Sequence, residues 1–145
     1  MFATWMQIAA KVGAGAVLAL PLAICARLPF PRVCEFQPRF RSSYLAFAVG
    51  CVAVVIWNEL VTAGRDLFID ENTGIVLVWA AAIRWLGSFA LIVASVAFLV
   101  HDKKGHHIGF GSAAVVSLLA VVMTAPIGLI VFAISAVLFM PRAPV

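Results

Sequence analysis

Four long apolar runs, at about 5–27, 44–64, 75–100 and 113–140, fill most of this 145-residue chain. A helix needs about 20 apolar residues to cross roughly 30 Å of hydrocarbon, so each run is long enough to span a bilayer. The connections between them are short and leave no room for a soluble domain. With 65% hydrophobic and 11% charged residues, the chain has too little polar surface to cover a water-soluble fold. The lipid-out, polar-in alternation of a membrane β-barrel is absent, so helices are expected. The expected fold is therefore an all-α integral membrane protein: one transmembrane domain over 1–145, with four transmembrane helices in an antiparallel bundle with short loops. The third and fourth runs exceed the minimum, which implies tilt or extension past the interface.

The basic residues set the expected orientation. Arg27, Arg32, Arg39 and Arg41 lie around the first connection, and Lys103 and Lys104 lie in the third beside His101, His106 and His107. The second connection sets Arg65 against Asp66, Asp70 and Glu71, and the C-terminal tail has only Arg142. By the positive-inside rule the first and third connections face the cytoplasm, with the acidic connection and both termini outside. The expected location is a bacterial inner membrane. Lys11 is expected to snorkel outward to the headgroups. A removable leader is disfavoured: the charge at Lys11 comes late, and Ile24 is too bulky for the cleavage box that Leu22, Ala23 and Cys25 otherwise suggest. Pro21 also suits a permanent span with a kink.

Helices in lipid associate through close contact, so small residues at helical spacing mark the touching faces. The first span shows Gly15, Ala19, Ala23 and Ala26, and the second Ala46 and Gly50. The third has Ala80, Ala81, Gly87, Ser88 and Ser95 on the side of Arg84, and the fourth Ala113, Ser117, Ala120, Thr124 and Gly128. These stripes are read as packing within one subunit, with a subunit interface as the sharper reading.

Glu59 and Arg84 are the candidate site, because each lies well inside an apolar run. Counted from the outer connection they lie roughly 7 and 14 Å deep at helical rise. Cβ vectors tilt toward the helix N-terminus and close that gap in an antiparallel hairpin. An intramembrane ion pair is expected, since an isolated charge at the bilayer centre costs about 2.5–3.5 kcal/mol on insertion scales. Asn58 and Trp57 stand beside it as possible polar neighbours. One role is a registry lock between the two spans; the other is a transport or gating site.

The remaining signals are weaker. The three histidines with Asp102 have ligand chemistry, but their short polar loop reads as a solvated turn, and no metal is expected. Arg32, Arg39, Arg41, Lys103 and Lys104 are expected to meet anionic lipid headgroups. Pro29, Pro31 and Pro38 alternate with Phe30, Phe36 and Phe40 in a segment expected to lie along the cytoplasmic leaflet. Asp66, Asp70 and Glu71 are too few and irregular for a calcium loop, and Asn72 or Thr73 is expected to cap the third span. Pro126, followed by Gly128, is expected to kink the fourth. Cys25, Cys34 and Cys51 form no C-x-x-C pair, which argues against redox work. No nucleophile–base arrangement or phosphate loop is present, so neither an enzyme nor a cofactor is expected. The formal charge of +4 is split among short loops and belongs to membrane topology rather than nucleic-acid binding.

These features point to a noncatalytic subunit of a homo- or hetero-oligomeric membrane complex, its partners being further copies or other membrane subunits. The alternative is an oligomeric small channel or transporter built around Glu59 and Arg84.

Overall fold

A computed structural model describes residues 2–68, 75–101 and 105–139. It contains four long helices and one short one: α1 (Phe2–Ala26), α2 (Pro29–Val33), α3 (Phe40–Phe68), α4 (Ile75–Leu99) and α5 (Phe110–Phe139). All four long helices are long and apolar enough to cross a membrane, as the hydropathy runs imply. The chain is an all-α four-helix membrane bundle.

Local chemistry explains the boundaries. Pro29 and Pro31 open α2, where their fixed φ is already helical and the missing N–H costs nothing. Phe30, fully buried, pins this short helix to the end of the bundle, so the first connection is folded against the protein rather than merely laid on the leaflet. The Arg39 carbonyl accepts the Ser42 and Ser43 amides at 3.0 and 3.2 Å and starts α3. Gly105, at φ +82°, turns the connection into α5 at an angle that side chains disfavour. His101 and His107 flank that turn in an isolated antiparallel bridge, and there is no strand among the described residues. Pro21 and Pro126 both sit inside unbroken helices.

The long helices form a four-cornered ring. α3 packs on α1 and α4, and α5 packs on the same two helices from the other side, which leaves α3 and α5 on one diagonal and α1 and α4 on the other. The α1–α3 pair is antiparallel: Gly15 approaches Cys51 and Val55. So is the α3–α4 pair: Ser42 Oγ donates to the Leu99 carbonyl at 3.3 Å, and Gly50 meets Ile92 and Ser95.

Among the described side chains, burial is confined to one end of the ring. The hydrophobic core consists of Ala19, Leu22, Ala23 and Ala26 of α1, Phe30 of α2, Ala46 and Phe47 of α3, Val93, Val96 and Ala97 of α4 with Val100 just past its end, Ile108 ahead of α5, and Ala113, Val116 and Ala120 of α5. Every one lies in the half that carries the basic connections. No residue of 51–64 or 80–92 is fully buried. In α5 the side chains from Val121 on are exposed except for half-buried Thr124, as far as they are described. Over the described side chains the bundle is therefore closed in its basic half and open in the far half.

The small-residue stripes of α1 and α3 lie where spacing puts them, with Gly15, Ala19, Ala23, Ala26, Ala46 and Gly50 buried; in α5 Ala113, Ser117 and Ala120 are buried, Thr124 is half-buried and the burial of Gly128 lies outside what is described. In α4, Gly87 and Ser95 of the stripe pack against α3, while the face turned to the core is valine-rich.

Candidate functional site

The charged residues of the spans gather in the open half. Lys11 of α1 and Glu59 of α3 form an ion pair, Nζ to Oε1 at 2.5 Å, with side chains 53% and 44% exposed. Lys11 continues the Gly15–Ala19 stripe four residues back, and Glu59 follows Val55, which Gly15 touches, four residues on. The two side chains therefore meet on the α1–α3 seam because both stripes do.

The expected Glu59–Arg84 pair is not formed. Arg84 Nη2 instead donates to Thr62 Oγ1 at 2.9 Å, and that hydroxyl donates to the Asn58 carbonyl at 2.7 Å. The reason lies in α3, which is flanked on two sides. Its Cys51–Val55–Glu59 row faces α1, whereas Gly50 and Trp57, seven residues apart, face α4. Depth alone does bring Glu59 and Arg84 level: Gly50 opposes Ile92 and Trp57 opposes Gly87, so positions near 59 and 84 oppose each other as well. Their facing directions separate them. The expectation that Lys11 turns outward to the headgroups is likewise corrected, since it has a carboxylate partner within the bundle.

Trp57 and Asn58 do not serve the ion pair. Trp57 Nε1 and Asn58 Oδ1 are buried and without hydrogen-bond partners. The indole instead fills the notch at Gly87, where an added Cβ would stand 2.5 Å from Trp57 Cε2 and 2.7 Å from Cζ2. Among the described residues the far half thus holds one ion pair, an arginine held by a hydroxyl, and two unanswered polar atoms, on six residues of three helices. A buried polar atom with no partner costs on the order of 1–3 kcal/mol, so such a group invites another donor or acceptor.

At the basic end, Arg32, Arg39 and Arg41 are exposed, as headgroup contact requires. Arg32 Nη1 also donates to the Leu28 carbonyl at 3.3 Å. Lys103, Lys104 and Asp102 lie outside the described residues, as do Asp70, Glu71, Asn72 and Thr73. The His101 and His107 rings stand 4.4 Å apart, and His107 Nδ1 is 3.0 Å from the Phe98 carbonyl. Among the described residues no group of three metal-ligating side chains converges. Cys34 lies beside Ser112, and burial pushes its thiol pKa up while the serine hydrogen bond partly offsets this.

Two features escaped sequence reasoning. Lys11 was assigned to the headgroups although its spacing to Gly15 placed it on the packing stripe. Glu35, with φ +57°, holds a left-handed conformation that nothing in its neighbours announces. Compared with protein families, with curated proteins and with solved structures, the chain matches none.

Proposed function

We propose that the chain is a noncatalytic subunit of an oligomeric membrane complex, assembled through the open far half of its bundle. One observation carries this reading: Lys11 and Glu59 pair inside apolar spans while both remain about half exposed. Charge facing hydrocarbon is costly even when paired, because the pair keeps unmet hydrogen-bonding capacity. A second protein surface removes that cost. Leu60 and Leu129, 61% and 69% exposed, offer apolar contact on the same half. The partner is another copy of this chain or another membrane subunit. In this reading the chain sits in a bacterial inner membrane, its basic connections in the cytoplasm and both termini outside, as the loop charges direct.

The channel or transporter reading draws on the same half, where Arg84, Thr62 and the unpartnered Asn58 Oδ1 and Trp57 Nε1 supply polar groups a permeant solute would use. It is second because the buried residues of the basic end are apolar apart from two serines, Ser43 and Ser117, and offer few groups for a route across it.

Photo-crosslinking in native membranes tests the choice. A crosslinker at Leu60 or Leu129 is expected to trap a second polypeptide, and one at Val49 or Val115, exposed on the closed half, only lipid. The reverse pattern refutes assembly through the far half.

A further inference from the structure

The connection between α4 and α5 is stitched where it leaves and re-enters the bundle. The Ile108 amide donates to the Val100 carbonyl at 3.4 Å, and one step toward the turn His101 and His107 form the isolated antiparallel bridge. A bond between the flanking residues makes this a non-hydrogen-bonded cross-strand pair, the kind in which the Cα atoms come closest and the two side chains project to one face. The imidazole rings accordingly stand 4.4 Å apart, tilted by 46°. Two contacts fix His107. Its Nδ1 lies 3.0 Å from the Phe98 carbonyl, and its ring meets the Phe98 ring edge-on at 6.1 Å. A carbonyl only accepts, so Nδ1 carries the proton and Nε2 of the neutral ring keeps a free lone pair. A backbone carbonyl holding the second ring nitrogen is the support that metal-ligating histidines characteristically have. His101 makes no hydrogen bond to the described residues, so its ring is free to turn either nitrogen toward its neighbour's ligand.

We propose that His101 and His107 form a two-imidazole site for a late first-row divalent ion, of the Cu²⁺, Ni²⁺ and Zn²⁺ class, which staples the end of α4 to the residues entering α5. With metal–nitrogen bonds of about 2.0–2.1 Å, two imidazoles at right angles on one ion stand roughly 4.5 Å apart, centre to centre. The rings already have that separation, so the pair closes on an ion with little rearrangement. Both side chains are exposed, which gives the ion a way in. Imidazole suits these ions, whereas Mg²⁺ and Ca²⁺ take oxygen ligands. Cys34 and Glu35 line a hollow with His107, and His106 is its neighbour in sequence, but among the described residues no third ligating side chain joins the pair. Water completes the coordination, which makes this a chelating clamp on a turn rather than a closed structural site.

Isothermal titration calorimetry of the full chain in detergent, purified through a tag without histidine, tests the site with the metal ions alone. A single ion per chain is expected, bound tightest as Cu²⁺ and weakest as Mn²⁺ among the transition ions. Because the second imidazole binds intramolecularly, His101→Ala and His107→Asn should each weaken Zn²⁺ by about tenfold or more, while His106→Ala leaves it within about twofold. His107→Asn keeps a side-chain N–H for the Phe98 carbonyl and loses only the ligating nitrogen, so its metal-free thermal midpoint should match that of the unsubstituted chain. Zn²⁺ should raise the midpoint of the unsubstituted chain by mass action and, at the same concentration, leave those of His101→Ala and His107→Asn unmoved. Equal Zn²⁺ affinity in the unsubstituted chain and His101→Ala overturns the proposal. So does a loss on His106→Ala as large as theirs, or Mg²⁺ binding as tight as Zn²⁺.

Discussion

Lys11 Nζ reaches Glu59 Oε1 at 2.5 Å across the α1–α3 seam, and this contact ties the N-terminal half of the first span to the third helix in the chain. It replaces the pairing that the α3–α4 hairpin alone suggests, and it changes which double substitution should be mild.

Removing one partner of the pair leaves the other charge unanswered inside the span. Glu59→Ala is expected to destabilise the detergent-solubilised protein by about 1–3 kcal/mol more than Lys11→Ala combined with Glu59→Ala. Arg84→Ala loses a hydrogen bond to Thr62 and should add independently to Glu59→Ala, at about 1 kcal/mol. Thermal melts of the four variants decide the matter. Rescue of Glu59→Ala by Arg84→Ala, rather than by Lys11→Ala, would restore the hairpin pairing.

Gly87 is required by the indole of Trp57, and Gly13 is required by nothing. A Cβ on Gly13 meets no atom within 4 Å, whereas one on Gly87 overlaps the rigid ring. Gly87→Ala should therefore cost about 1–3 kcal/mol through overpacking, and Gly13→Ala should be neutral or gain up to about 1 kcal/mol from helix propensity. Trp57→Leu should recover most of the Gly87→Ala loss. Equal melting of the two alanine variants contradicts the contact.

Ser43 and Ser117 are fully buried with hydroxyls that have no partner. Their small size matters to the packed face; their oxygen does not. Ser117→Ala is expected to change stability by less than about 1 kcal/mol, toward stabilisation, while Ser117→Leu should disrupt the closed end. A large loss on Ser117→Ala would reveal an essential hydroxyl contact.

Cys34 should be a sluggish nucleophile. Burial raises its pKa, so the reactive thiolate accumulates only at a pH higher than for a free cysteine. In a Cys25→Ser, Cys51→Ser background, its alkylation near pH 8 is expected to lag that of a peptide thiol and to catch up as pH rises. Ser112→Ala removes the hydrogen bond that lowers the pKa, so it should slow the reaction further. Alkylation at the peptide's rate at pH 8 would contradict the burial.

Much of the fold could be read from the residues because a bilayer narrows the choices: run length gives the spans, and small residues at spacing of four give the faces of α1, α3 and α5. In α4 the small residues Gly87 and Ser95 mark the contact with α3, whereas the core-facing side was not legible because Val93, Val96 and Val100 pack there as well as small residues do. The level of Glu59 and Arg84 followed from counting turns. Their partners did not, because facing direction depends on which helix occupies each side of α3, and that is a property of the whole ring. The polarity of the bundle, closed in the basic half and open in the other over the described side chains, does not follow from run length, although Lys11, Glu59 and Arg84 all fall in the open half.

The most direct test of assembly through the far half is the mass of the intact particle, extracted from its native membrane into nanodiscs and weighed by native mass spectrometry. The account predicts a particle holding more than one polypeptide, which Lys11→Ala with Glu59→Ala weakens without unfolding the chain. A particle holding a single chain and lipid alone would contradict it.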